Sequence, residues 1–374
     1  MMTITCNLNY LVAIVLLLLG GCINPIDLPV RDAQPLLVVE GFVTNESGPY
    51  TVRLSRSANF EGVSIGSGGI IDPEFNASVA LRDESGFLVP FNEVRNGYYQ
   101  SSPEFRAEVG EVYSLLIITS DGEEYLSSPV SIPQGAEIDS IITRFDQKPS
   151  INEFDFATGV NVFVEFQDDP DNNNFYLSYT SNGVFPWTAH PELASINPNF
   201  PCPTGETVEC FRYERDYFQP SEVAASRCYV PEARPFDFTL NSDLFQNGAK
   251  ITTQAAFIED DGKRFEFSYR VKINFLTISP EAFGFYNRLA SQLSITGDIF
   301  DPPPAEILGN IINIGGTGGD AVGYFGAYYS SSKQIYIERD FLDIKQAKVK
   351  WAGECVNLDS STVVRPSDWT GSSW

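Results

Sequence analysis

The run Phe265, Phe267, Tyr269, Val271, Ile273 and Phe275, interleaved with Arg264, Glu266, Ser268, Arg270, Lys272 and Asn274, narrows the possible folds most. Apolar and polar residues alternate without a break, and a period of two belongs to a strand whose faces meet different surroundings. One face is expected to be dry and the other wet, as in an antiparallel sheet packed on one side. Asp261-Gly262 stands just before the run and predicts a hairpin turn, because glycine takes positive φ freely.

Shorter runs of the same kind fill residues 36–133. Leu36–Thr44 is apolar and rich in β-branched residues, Thr51–Ser55 alternates, and Ser78–Arg82, Tyr98–Ser101, Val112–Thr119 and Glu124–Ile132 follow. Asn96-Gly97, Asp121-Gly122 and the weaker Ser85-Gly86 supply turns between them. This spacing predicts an immunoglobulin/prealbumin-like β-sandwich over 36–133, with the glycine-rich 66–69 as a mobile loop and Pro133-Gln134-Gly135 as the exit. A larger β domain is expected over 134–374. It opens with Val160, Val162, Val164 and Phe166 on one face, then a strand at Phe175–Thr180. One helix is predicted, capped by Ser279, with Pro280 at its first position and Glu281 at its positive end. Ala282, Phe285, Tyr286, Leu289 and Leu293 form its apolar stripe, and Gly297 would end it. Two strands, Val322–Ser330 and Gln334–Glu338, close the chain. The expected class is all-β with one packed helix.

Between 183 and 235 the pattern dissolves into prolines, aromatics and cysteines. That is too long for a plain connection and predicts a folded, disulfide-pinned insertion. Four cysteines follow residue 22, namely Cys202, Cys210, Cys228 and Cys355, and three connectivities are open to them. Cys202–Cys210 with Cys228–Cys355 is the favoured pair. Zinc is disfavoured, because the spacing lacks a CxxC pair and the single histidine is His190. Phe185, Trp187, Phe200, Phe211, Tyr213, Tyr217 and Phe218 share this insertion. Trp187, Tyr213, Tyr217 and Phe218 are candidates for an aromatic surface that stacks on a sugar or docks a partner. The other reading is that they fill the insertion's own small core.

The N-terminus predicts export. Leu11–Leu19 is an unbroken apolar run too short to cross a ~30 Å bilayer core, and suits a signal peptide over 1–21. Leu19-Gly20-Gly21-Cys22 looks like a bacterial lipobox, which makes Cys22 the lipidated residue and 22–35 a tether, although no Lys or Arg precedes Cys22. An ordinary signal peptide with Cys22 unmodified is the alternative. Several acyl chains would anchor such a protein stably.

Forty-nine acidic against 24 basic residues give a net charge of -25, which excludes phosphate-neutralising contact with nucleic acid. Hydrolase chemistry has little to stand on: His190 lies in a Pro/Trp stretch and no Gly-x-Ser-x-Gly elbow occurs. Asp169, Asp171 and Asn173 alternate as the start of a calcium loop does, but lack its glycine and distal glutamate. They read as a polar turn, with calcium the rival and no cofactor otherwise expected. The glycine-rich 315–319 lacks the Lys and Ser/Thr of a phosphate loop, and Asp301–Pro304 is a stiff extended segment.

Thr277-Ile278-Ser279-Pro280-Glu281-Ala282-Phe283, then Gly297–Pro304, Gly309-Asn310-Ile311 and Gly323-Tyr324-Phe325 occur in an order that resembles a Bacteroidota lipoprotein family known as a domain of unknown function (DUF 4249). Ile26-Asp27-Leu28, Leu37–Gly41, Val52–Ser55 and the tail with Cys355, Pro366 and Trp369 are similar too. The resemblance implies an outer-membrane lipoprotein with an accessory or ligand-capturing role beside a TonB-dependent transporter, and supplies no catalytic residue. A surface enzyme directed at glycans, or an adhesin, is the alternative.

Overall fold

β-branched and aromatic residues at alternate positions, with glycine turns between them, leave this chain one economical way to satisfy its backbone, which is pairing strand to strand. A computed structural model describes residues 35–57, 72–149, 156–189, 211–213, 216–218, 227–232, 237–294, 307–351, 355, 358 and 360–373. The N-terminal strands are β1 (Leu37–Thr44), β2 (Thr51–Arg56), β3 (Asp72–Pro73), β4 (Ser78–Asp83), β5 (Leu88–Arg95), β6 (Tyr98–Gln100), β7 (Val112–Ile118), β8 (Glu124–Ser127) and β9 (Val130–Ser131). Then come β10 (Ile138–Pro149), β11 (Phe156–Gln167), β12 (Phe175–Thr188), β13 (Phe211–Tyr213), β14 (Asp216–Phe218), β15 (Arg227–Glu232), β16 (Phe238–Ser242), β17 (Lys250–Glu259) and β18 (Ser268–Ile278). Helix α1 (Pro280–Leu293), β19 (Ile311–Gly315) and β20 (Val322–Glu338) follow, with a short 3-10 helix at Arg339–Phe341.

Among the described residues, one large mixed sheet runs β15-β12-β18-β20-β1-β2-β6-β5-β4-β7-β8-β19. Its parallel joint is β1 against β20, Val38 facing Val322 through Thr44 facing Tyr328. A separate sheet of β10, β11 and β17 packs over it. The turns at Gly86, Gly97 and Gly122 all have positive φ, as the Ser-Gly, Asn-Gly and Asp-Gly pairs predicted.

Among the described residues, the three largest of five apolar clusters hold these layers. The first joins Leu37, Val39, Val52, Leu54, Leu81 and Leu115 of the N-terminal strands to Ile311, Phe325 and Ala327 from the far end of the chain. The second lies between the three-stranded sheet and β12–β18–β20. There Val160, Val162, Val164 and Phe166, the predicted dry face of β11, meet Phe265, Tyr269, Val271, Ile273 and Phe275, all fully buried or nearly so. The third seats α1 on the opposite face of the large sheet through Ala282, Phe285 and Tyr286 against Leu177, Leu276, Tyr324 and Tyr328.

Four expectations are corrected. Asp261-Gly262 makes a turn with Gly262 at φ 77, but β17 and β18 do not pair. The turn carries the chain from one layer to the other, so residues 264–267 form a turn and a bend and the strand starts at Ser268. The second face of β18 is not wet either: α1 covers Leu276 and Ile278, and the tail at Gly371 closes over Ser268. The two closing strands are one, because Ser330–Ser332 continue the ladder against β18. The helix keeps its predicted start, Ser279 Oγ accepting from the Ala282 N–H, but ends at Leu293 with Ser294 as cap. Gly297 therefore lies beyond it and outside the described residues, as do 66–69 and 301–304.

Candidate functional site

An open concavity sits where the N-terminal strands meet the start of α1. It is a groove of about 510 Å³ between β9, the first turns of α1 and the segment 308–310. Ser128 and Ser131 line one wall, Ser279, Glu281 and Arg288 the other, and Tyr324 lies at its base. That volume is the size of an ordinary small-molecule site. The walls are fixed locally. Ser279 caps the helix, and burial raises the Tyr324 phenol even though its bond to Ser279 opposes the shift. Asn310 Nδ2 donates to the Phe325 carbonyl (2.8 Å), and its Oδ1 accepts from the Phe325 N–H (2.9 Å). This amide thus replaces a strand partner and pins 308–310 to β20. Gly309 is required there, because a Cβ would lie 1.9 Å from the Gly323 carbonyl oxygen. Glu281 and Arg288 are both exposed, so the groove offers one charge of each sign among hydroxyls and the apolar Pro129, Val130, Pro280 and Leu308. Such walls suit a polar ligand carrying both an anionic and a cationic or donor group.

The residues singled out in the sequence are dispersed. Trp187 belongs to β12, which runs on through a register shift at Asn182-Gly183 and pairs with β15 from Gly183 to Thr188. The sheet therefore extends into the range read as insertion, and Asn182 at φ 52 explains the apparent break. The indole of Trp187 is 4% exposed and packs against Phe185 and Trp351, so it is core and offers no face to a sugar. Tyr213 pairs with Asp216, and Arg212 with Tyr217, in the two-stranded β13–β14 hairpin that also holds Phe218. Cys228 and Cys355 form a disulfide with Cα atoms 5.8 Å apart, tying β15 to the C-terminal tail as favoured. Cys202, Cys210, His190 and Cys22 lie outside the described residues.

Asp169, Asp171 and Asn173 occupy the loop between β11 and β12, which joins the two layers. Asp169 Oδ1 accepts from the Asp171 N–H (3.0 Å) and its Oδ2 from Asn172 Nδ2 (3.1 Å), so both oxygens serve the turn. Asp171 and Asn173 are exposed. Among the described residues, no group of three or more His, Cys, Asp or Glu side chains is placed to hold a metal ion. Sequence reasoning missed the adjacent Asp168 and Asp243, which are buried, and Arg288, whose place on the groove depends on the whole sheet order. Only Gly309-Asn310 carried a signal, a glycine beside a short amide at the end of an irregular stretch.

The residues that brace the groove, Ser279 through Ala282, Gly309-Asn310 and Gly323–Phe325, are the motifs on which the family resemblance rests. No curated protein matches the chain. The model of the domain of unknown function DUF4249 matches residues 23–334, from just after Cys22 into the second half of β20. The chain belongs to the DUF4249 family.

Proposed function

We propose that this chain is a non-enzymatic, lipid-anchored component of a Bacteroidota outer-membrane uptake system, capturing a polar ligand for, or bracing, a TonB-dependent transporter. The groove of about 510 Å³ carries this reading. It is open, built on strand and helix ends, and bounded by apolar side chains and hydroxyls with one acid and one base, which is the equipment of a capture site. The lipobox at Cys22 supports the anchor, and no helix among the described residues is long and apolar enough to cross a membrane.

The test is a pull-down from detergent-solubilised outer membranes with a tagged chain that retains Cys22, partners being identified by mass spectrometry. A stoichiometric TonB-dependent barrel is expected, and Ser131→Trp, which fills the groove, should reduce ligand uptake without lowering recovery of the barrel. Recovery of the lipoprotein alone, with turnover of a glycan panel, would replace this reading with that of a surface enzyme.

A further inference from the structure

At one end of the three-stranded sheet, β11 leads into Asp168 and β16 leads into Asp243. The two carboxyl groups are 2% and 0% exposed. Asp168 Oδ2 accepts from the Gly248 N–H (2.8 Å), and Oδ1 accepts from the Tyr176 hydroxyl. Asp243 Oδ2 accepts from the Asn174 N–H (2.8 Å). Asp243 Oδ1 is buried and accepts from no group. A buried carboxylate oxygen without a donor is unfavourable by several kcal/mol in order of magnitude. Burial disfavours ionisation of Asp243, and the neighbouring Asp168 adds to this by its charge and by a side-chain hydrogen bond between the two acids. Neither acid is in an ion pair with a Lys or Arg among the described residues.

More oxygens converge beside them. Asn174 Nδ2 stands 3.4 Å from Asp168 Oδ1, 3.4 Å from the Asp169 carbonyl and 3.3 Å from the Asn172 carbonyl. Three acceptors at such distances around a group with two hydrogens make weak hydrogen bonds. The same set, two carboxylates, two main-chain carbonyls and an amide that can turn its oxygen inward, is the donor set of a hard divalent cation. It contains no sulfur or imidazole to favour a softer metal.

We propose that Asp168 and Asp243, with the main-chain oxygens of Asp169 and Asn172 and the side chain of Asn174, bind one calcium-like divalent cation that staples the loop 168–174 to the turn 243–248. The unpartnered Asp243 Oδ1 becomes a ligand, and the like charges acquire a counter-charge between them. The site differs from the calcium loop suggested by the sequence in its residues, since it uses the buried Asp168 and Asp243, whereas Asp171 and Asn173 are exposed. The stapled turn displays Leu244 and Phe245, 57% and 98% exposed, so the cation would set the position of the most exposed aromatic described. This inference stands apart from the uptake reading.

The probe is terbium added to the chelator-treated mature chain, followed by calcium. Tyrosine-sensitised emission should saturate at one ion per chain, Tyr176 being hydrogen-bonded to a ligand, and calcium should displace it. Asp243→Asn, an isosteric change, should weaken terbium binding at least tenfold, whereas Asp171→Asn should leave it unchanged. Calcium should raise the melting temperature of the wild type and not that of Asp243→Asn. No terbium emission, or a calcium-insensitive melting temperature in the wild type, overturns the site and leaves the two acids sharing a proton. Loss of emission in Asp171→Asn with retention in Asp243→Asn, both folded by circular dichroism, overturns it in favour of the exposed loop.

Discussion

Trp187 shows how residue-scale chemistry depends on a neighbour that sequence order does not supply. Its indole contacts Trp351 at 6.1 Å between ring centroids, beside the Cys228–Cys355 bridge, and Lys263 lies 5.9 Å from its ring. Trp187→Ala should cost about 3–5 kcal/mol in urea unfolding, as removal of a buried large aromatic does. A loss below about 1 kcal/mol would mean that the ring is not core. Glu46 makes a second case. Partial burial raises its pKa, but the Lys272 ammonium and the hydroxyls of Ser332 and Ser330 outweigh that and hold it below its ordinary 4.5. Lys272 Nζ lies 3.3 Å from Oε2, and both serine hydroxyls donate to Oε1 at 3.0 Å. A carboxyl whose folded pKa is lowered stabilises the fold above the unfolded pKa, and that contribution is lost as pH falls through the folded one. Because the Glu46 side chain is 38% exposed, Glu46→Gln should cost only about 0.5–1 kcal/mol at pH 7. Thermal unfolding between pH 7 and pH 3 checks this: the two proteins should differ at pH 7, and the difference should shrink as the pH falls.

At the scale of the element, legibility followed periodicity and turn chemistry. The dry face of β11, the hairpins at Gly86, Gly97 and Gly122 and the start of α1 were readable because each is set by residues near one another in the chain. The continuity of β20 was not. Ser330-Ser331-Ser332 reads as a break, yet these residues pair with Leu276, Phe275 and Asn274, and their hydroxyls reach Glu46 and Glu137. The acceptors come from distant segments, so nothing local announces them. The groove was illegible for the same reason, since its walls are brought together by the sheet order. Gly323 carries the parallel joint. Its φ is +106, and a Cβ would stand 2.0 Å from the Val39 carbonyl oxygen. Gly323→Ala should therefore destabilise by more than about 1 kcal/mol, through positive φ as well as through the clash. Chemical denaturation measures it, and an unchanged midpoint would show that β1 and β20 do not approach so closely.

For the whole molecule, β20 is the member that both ends share. Its first half pairs with β1 and places Phe325 and Ala327 in the N-terminal core, while its second half pairs with β18 and places Ile337 in the core beneath the three-stranded sheet. The disulfide adds a further tie across 127 residues of sequence. In the chain-entropy account, closing a loop of that length is worth about 5 kcal/mol, so Cys355→Ser should lower stability by up to that amount in urea unfolding. The sharing of β20 bears on whether residues 36–133 form a sandwich that stands alone. Without residues beyond 133, β1 loses the partner on one edge, and the cluster around Val39 and Leu54 loses Ile311, Phe325 and Ala327. An unpaired strand edge and a core open on one side both disfavour autonomous folding of so small a unit. A fragment of residues 36–133 should therefore show no cooperative thermal transition, and the intact mature chain should unfold in one step with coincident tryptophan and far-ultraviolet signals. Tryptophan reports only the C-terminal part, because Trp187, Trp351, Trp369 and Trp374 all lie beyond residue 133, so coincidence of the two signals is informative. Two separated transitions, with the fragment reproducing the first, would show instead that the N-terminal strands close their own core and that β20 only docks against it.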